Sequence, residues 1–146
     1  MYDDILVPTD GSAEAATATE HAIELAAAFD ATVHALYVID LPGSVRAPSI
    51  REDEVTMRRE YREYGETVTE EVADTASEVG VDAVGVVRTG SVHEEITDYA
   101  KDRGMDLVVM GTAYRGKFGA LLGGTTERVV RTATVPVTSI RMAEDA

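Results

Sequence analysis

The sequence contains no cysteine, so disulfide bonds and thiolate metal sites are excluded. It also lacks any apolar run near the roughly 18 residues that a membrane-spanning helix needs. The first residues, MYDDILVPTDG, combine an acidic pair with a short apolar run, whereas a signal peptide has a basic start and a longer apolar segment. We therefore expect a cytoplasmic protein that does not associate with a membrane.

Basic residues are scarce, since 13 Lys and Arg stand against 27 Asp and Glu and give a formal charge of -14. A nucleic-acid partner is not expected, because binding to a phosphate backbone depends on basic residues. The composition resembles that of cytoplasmic proteins of extreme halophiles, in which salt screens repulsion among carboxylates. An ordinary acidic protein is the alternative, because charge bears on solubility rather than on fold.

Five short apolar runs divide the chain, and helical patterns lie between them. A length of 146 residues suits one domain. The sequence therefore predicts a single α/β domain over residues 1–146, Rossmann-like, with helices on both faces of an open parallel sheet. The runs are rich in Val, Ile and Leu, as strands buried on both faces are: ILVP (5–8), TVHALYVI (32–39), VDAVGVV (81–87), MDLVVMG (105–111) and VPVTSI (135–140).

Apolar residues three and four positions apart mark the helices, and capping residues mark their ends. Ser12 is the expected N-cap of the first helix, and Gly80 is expected to end the second. Ser91 and Glu94 form a predicted capping box at the start of the third. The predicted core-facing residues include Ala22, Ile23, Phe29, Tyr61, Tyr64, Val68, Val72, Val79, Ile96, Tyr99, Val129 and Val130.

Pro136 lies inside the last predicted strand and cannot donate a backbone hydrogen bond, so we expect that strand at an edge of the sheet. An exposed edge is a natural place for a second subunit to dock. The segment LPGSVRAPSI (41–50) has no periodicity and is expected to form a long loop, either a lid or a disordered connection.

The stretch from Gly111 to Phe118 has the spacing of a phosphate-binding P-loop, with Gly116 and Lys117 in the expected places. Phe118, however, stands where a Ser or Thr hydroxyl should bind magnesium. Further glycines at 119, 123 and 124 disfavour a helix there, at a cost of about 1 kcal/mol each. The P-loop match is therefore interpreted as accidental.

A different phosphate site is compatible with the same residues. A strand ends at Gly111, a glycine-rich loop carries Gly116 and Gly123–Gly124, and a helix opens at Thr125–Thr126. Glycines let backbone amides approach a ligand closely, and a helix N-terminus favours an anion. The alternative is an ordinary flexible loop before a capped helix.

Four segments, in this order and spacing, resemble the universal stress protein family: ILVPTDGS, ALYVID, DLVVMGT and LLGGTTERVVRTATVPV. The resemblance covers nearly the whole chain. It implies a five-stranded parallel sheet of order 3-2-1-4-5 and a homodimer paired through the last strand, Val135 to Arg141. In that order the chain reverses direction between the first and fourth strands, where ligands of open α/β sheets bind.

The resemblance also implies the residues of a nucleotide site. Family members that bind ATP contact adenine and ribose at positions matching Pro8, Thr9, Asp10 and Val38, and Met110–Gly111 ends the facing strand. A carboxylate such as Asp10 can accept hydrogen bonds from ribose hydroxyls. Its alternative role is to cap the first helix beside Ser12.

The phosphate-binding motif of the family, Gly-x2-Gly-x9-Gly followed by Ser or Thr, is degenerate here. In one alignment Gly123 is the last glycine, and in the other Gly124–Thr125 fits, but the second glycine falls on Ala113 or Tyr114 in both. Losing two phosphate contacts would weaken binding roughly a hundredfold or more. The expected cofactor is ATP, with Mg²⁺, or the smaller AMP, and Gly116 and Lys117 would compensate from a reshaped loop.

No catalytic or metal-binding residues are predicted. HEEIT (93–97) has Thr97 where a zinc-protease helix carries its second His, and no Gly-x-Ser-x-Gly elbow is present. Three functions compete: a nucleotide-binding regulatory module of the stress response, a dimeric interaction protein without nucleotide, and a slow ATP hydrolase. The hydrolase is least favoured, because no general base is identifiable.

The acidic composition predicts that salt stabilises the protein. Raising KCl from about 0.2 to 3 M should raise the urea midpoint of unfolding, because the Debye length falls to a few ångströms and repulsion among carboxylates is screened. Circular dichroism during urea titration at each salt concentration measures this midpoint. A midpoint that does not rise would show an ordinary acidic protein without halophilic adaptation.

Overall fold

The computed structural model describes residues 1–40, 52–112 and 124–142, and the side chains of these ranges except 52–54. The predicted loop at 41–50, and residues Ala113, Tyr114, Gly116 and Gly123, lie outside the described residues. Strands and helices alternate as predicted: β1 (Asp4–Pro8), α1 (Ala13–Phe29), β2 (Thr32–Ile39), α2 (Glu52–Glu78), β3 (Ala83–Thr89), α3 (Val92–Asp102), β4 (Leu107–Thr112), α4 (Gly124–Thr132) and β5 (Val137–Arg141).

The strands form one parallel sheet of order β3-β2-β1-β4-β5, which confirms the predicted topology. β1 lies at the centre, with β2 on one side and β4 on the other. Its residues Ile5, Leu6 and Val7 are fully buried, as expected for a strand covered on both faces. The chain direction therefore reverses at β1, which places a crevice at the carboxyl ends of β1 and β4.

The alternation of side chains along the strands divides the core between two faces. Ile5 and Val7 of β1 pack against α1 and α2, together with Ile23 and Val72. Leu6 points to the opposite face, where Ile96 and Tyr99 of α3 and Val129 of α4 cover the sheet. Helices therefore lie on both faces, two on each, among the described elements.

The helix ends follow the predicted signals in two cases. The Ser12 hydroxyl accepts a hydrogen bond from the Ala15 amide at 3.2 Å and caps α1. Gly80, with a φ of +74°, follows the end of α2 in a conformation that suits glycine. Ser91 is the N-cap residue of α3, but its side chain makes no capping hydrogen bond and its Oγ lies 3.3 Å from His93 Nδ1. The predicted capping box is therefore not formed.

Pro136 directly precedes β5 rather than lying inside it, which corrects the prediction. Its carbonyl accepts a hydrogen bond from the Val108 amide at 2.9 Å, so it leads the chain into the ladder with β4. The edge position of β5 is confirmed.

Several predicted core residues are instead exposed at the margins of the helix faces. Helical spacing selects one side of a helix, but it does not show which part of that side the sheet covers. Tyr64, on the long α2, packs edge-on against Tyr37, and Phe29 packs against Tyr2. The exposed residues are Phe29 (42%), Tyr61 (41%), Tyr64 (47%), Val79 (60%) and Val130 (47%).

In the described ranges, no helix combines the length and the apolar character needed to cross a membrane.

Candidate functional site

A cavity of about 360 Å³ opens at the carboxyl ends of β1 and β4, on the side of the sheet that α3 and α4 cover. The fold brings together at this cavity residues that are far apart in the sequence. Gly116 and Gly123, which were also predicted as site residues, lie outside the described residues. The predicted site residues in the described ranges all line this cavity: Pro8, Thr9, Asp10, Val38, Met110, Gly111, Gly124 and Thr125.

The turn between β1 and α1 forms one wall and is held by its own hydrogen bonds. The Thr9 amide donates to the Leu36 carbonyl at 2.8 Å, which anchors the turn to β2. Asp10 Oδ1 accepts the Ser12 amide at 2.9 Å, and Thr9 Oγ1 accepts the Gly11 amide at 3.2 Å. Asp10 therefore stabilises the start of α1, while its exposed carboxylate still lines the cavity.

The long helix α2 supports this turn from the other side of the sheet. The Tyr64 hydroxyl donates to the Asp10 carbonyl at 3.3 Å. A Cβ atom at Gly11, where φ is +82°, would overlap that hydroxyl. Tyr37 packs against Tyr64, and burial, followed by the nearby Tyr64, Tyr61 and Asp10, raises the pKa of Tyr37. The turn is therefore fixed by both the sheet and α2.

Gly111, at the end of β4, is contacted by two helices. A Cβ atom at this position would overlap the backbone carbonyl of Glu14 in the first turn of α1. On the α4 side, the Thr126 hydroxyl donates to the Gly111 carbonyl at 3.3 Å. The need for glycine at this position is thus explained by packing against α1, whereas the family resemblance assigned it to a phosphate-binding motif.

The beginning of α4 faces the cavity. The helix starts at Gly124, slightly before the predicted start at Thr126, and Gly124, Thr125 and Thr126 line the site. The first amides of a helix have no partner within the helix, and the N-terminus carries partial positive charge. This end of α4 can therefore bind an anionic group.

The remaining wall is apolar. Leu36 and Val38 of β2, Val92 and Ile96 of α3, and Met110 of β4 contribute it. Leu36, Ile96 and Met110 are buried, while Val38 and Val92 are half-buried and present surface to the cavity. Such a surface can pack against a flat, weakly polar ring, and the polar groups at either end would fix the ring's orientation.

The electrostatic character of the cavity is acidic. Asp10 and Glu14 line it, and no Lys or Arg does so within the described ranges. The same ranges hold no group of three or more His, Asp or Glu residues arranged to bind a metal ion. An anionic ligand would therefore depend on backbone amides for most of its contacts with the described residues.

Sequence analysis missed half of the lining. Thr112 directly follows the predicted Gly111 and could have been included as the last residue of that strand. Val92 and Ile96 were interpreted only as core residues of α3, because no local motif shows that the start of this helix passes over the ends of β1 and β2. The lining residues not predicted are Ser12, Glu14, Ala15, Leu36, Val92, Ile96, Thr112 and Thr126.

Residues 1–141 match the model of the universal stress protein family, and the chain therefore belongs to that family. It is similar to the universal stress protein MJ0531 of Methanocaldococcus jannaschii, with 36% identity over 97% of this chain and 83% of that protein. It is also similar to the universal stress protein YxiE of Bacillus subtilis, with 32% identity over 97% of this chain and 100% of that protein.

Among solved structures, that of MJ0577 from M. jannaschii superposes with a TM-score of 0.79 and 28% identity, over 99% of each chain. The expected family and fold are thus confirmed. These relatives come from a methanogen and a bacterium, so the similarity to halophile proteins stays a prediction from composition.

Replacing Gly111 by Ala should lower the free energy of unfolding by about 1–3 kcal/mol, because the added methyl group forces α1 away from β4. Urea denaturation measures the change. Gly124→Ala is the matched control, since its φ is not positive and, among the described residues outside its own helix, no atom lies within 4 Å of the added Cβ. An equal loss in both variants would show that the Gly111–Glu14 approach is not a constraint.

Proposed function

We propose that the protein is a nucleotide-binding regulatory module of the stress response, and that the cavity at β1 and β4 binds an adenine nucleotide, AMP or ATP. One observation carries the proposal: an apolar wall, the Asp10 carboxylate and the N-terminus of α4 meet around a single cavity. The apolar wall can pack against a purine, the carboxylate can accept hydrogen bonds from a ribose, and the helix N-terminus can bind a phosphate.

Two solved proteins of this fold support the ligand class. A universal stress protein in complex with cAMP superposes with a TM-score of 0.69, and one from Arabidopsis thaliana with AMP bound superposes with a TM-score of 0.75. At 20% and 21% identity, these similarities concern the fold alone. They show that proteins of this fold can bind adenine nucleotides.

The charges of the cavity favour a nucleotide with one phosphate. Asp10 and Glu14 repel a triphosphate more strongly than a monophosphate, and the N-terminus of α4 supplies only partial positive charge. AMP is therefore the preferred ligand. Binding of ATP would need Mg²⁺ and further contacts from Gly116, Lys117 and Gly123, which lie outside the described residues.

Calorimetric titration of AMP, ADP and ATP with Mg²⁺ into protein free of copurified nucleotide tests this function. We expect AMP to bind at least as tightly as ATP. Asp10→Ala should weaken AMP binding roughly 10- to 150-fold, which corresponds to the loss of about 1.5–3 kcal/mol from a hydrogen bond to a charged group.

Two further variants identify the cause of any loss. Asp10→Asn keeps an oxygen that can accept the Ser12 amide, so it separates the carboxylate's charge from its role in the turn. Asp98→Ala removes an exposed carboxylate of α3 that does not line the cavity and should leave affinity unchanged. No binding of any nucleotide up to millimolar concentration would end the proposal.

An interaction protein that acts as a dimer is the second candidate, and the edge position of β5 favours it. One side of this strand has no neighbouring strand in the described chain, so its backbone groups can pair with a second copy across a twofold axis. We propose a homodimer formed through residues 135–141.

Ser139→Asp should shift the protein toward monomer, because symmetric pairing brings two added carboxylates close together. Ser139 is exposed in the middle of β5. Light scattering after size exclusion measures the mass, and Thr134→Asp, exposed and before the strand, is the control with equal charge. A wild-type protein that is monomeric at high micromolar concentration would contradict the dimer.

A further inference from the structure

A second, larger cavity of about 620 Å³ lies between α1 and α2, on the opposite face of the sheet from the nucleotide cavity. α1 packs mainly on β4 and β1, whereas α2 packs on β3 and β2. The two helices therefore leave a groove between them. Ile23, Val68 and Val72 line it, and all three are buried.

The rim of this groove carries charge of one sign. Glu20 and Glu24 of α1 and Glu71 and Glu78 of α2 line it and are exposed. In the described chain, no Lys or Arg lines the groove, and no ion pair involves these four glutamates.

The neighbouring sequence offers no neutralising charge. α1 contains neither Lys nor Arg, and α2 contains none after Arg62. Carboxylates on both walls therefore repel each other across an apolar floor, and a cationic partner would relieve that repulsion.

The shape of the groove suits a helix. Residues 12–27 on the α1 side extend over roughly 22 Å at 1.5 Å per residue, the length of about 15 helical residues. Ala16 and Ala27 are exposed in the groove, and such small side chains permit close approach of a second helix. A ligand that is only cationic would leave the apolar floor uncovered, so the occupant needs an apolar face as well.

We propose that the α1–α2 groove is the docking surface for a basic amphipathic helix of a partner protein. The helix lays its apolar face on the exposed Ala16, Ala27 and Val79, above the buried apolar floor. It directs lysines or arginines to the glutamates of both walls. A regulatory module needs a surface that binds its partner, and the groove supplies this surface. In that respect the proposal rests on the proposed function. The groove's own affinity for a helix does not depend on nucleotide.

The test uses a fluorescein-labelled amphipathic peptide of about 14 Leu and Lys residues, and a matched peptide with Glu in place of Lys. Anisotropy at low salt, without nucleotide, should show binding of the Lys peptide only, and molar KCl should weaken it, because the attraction is electrostatic. Glu24→Lys with Glu71→Lys should weaken binding by at least about tenfold.

Two control variants separate the groove from the general acidity of the protein. Asp98→Lys with Asp102→Lys makes the same change in net charge on exposed positions of α3, across the sheet, and should change affinity by less than about twofold. Ala27→Phe fills the groove without changing charge and should also abolish binding. Equal losses from both charge reversals, or no loss from Ala27→Phe, would overturn the proposal.

Light scattering identifies the competing occupant. If the charge reversal at Glu24 and Glu71 changes the mass of the protein in solution, the groove is occupied by a second copy of the chain, and the proposal is wrong.

AMP titration of the same variants keeps the two proposals distinguishable. Failure of AMP, ADP and ATP to bind would end the nucleotide function and leave the peptide result standing, and failure of the peptide to bind would leave the nucleotide function standing.

Discussion

The close approach of α1 to the end of β4 constrains the whole carboxyl edge of the sheet. Gly111 has no side chain, so the first turn of α1 can pack directly on β4. A Cβ atom at Gly111 would overlap the Glu14 carbonyl. That position determines where the turn at Asp10 leaves β1, and the Thr126 hydroxyl places the start of α4 against the same glycine. The cavity is thus the space that remains when two helices meet one strand end.

This geometry brings together groups with opposing electrostatic effects. The N-terminus of α4 attracts an anion, whereas Asp10 and Glu14 repel it. A carboxylate near a helix start is itself favourable, and Asp10 accepts the Ser12 amide there, so the same side chain stabilises the start of α1. If the cavity binds a nucleotide as proposed, the two carboxylates favour a ligand with few negative charges. Its apolar wall supplies binding free energy that does not depend on charge.

The strands were predictable because residues such as Ile5, Leu6 and Val7 are apolar without interruption, and their order followed from the family resemblance. The site residues were predictable where a strand ends in a motif, as at Asp10 and Gly111. Contacts that depend on how helices cross the sheet were not predictable: Ile96 reaches the cavity, and Tyr64 lies exposed beside the turn. The same holds for His34 of β2, whose ring nitrogens lie 2.9 Å from Asp4 Oδ1 of β1 and 2.8 Å from the Tyr99 hydroxyl of α3.

The turn between β1 and α1 separates the cavity at β1 and β4 from the α1–α2 groove, and Thr9 and Ser12 line both. A substitution at either residue would change two surfaces at once, so a loss of binding would not identify the cavity responsible. Asp10 lines only the nucleotide cavity, and Glu71 lines only the groove. These two carboxylates therefore report on the two sites separately. The shared turn, Tyr64, which joins the turn to α2, and α1, which lines both cavities, connect the two sites physically.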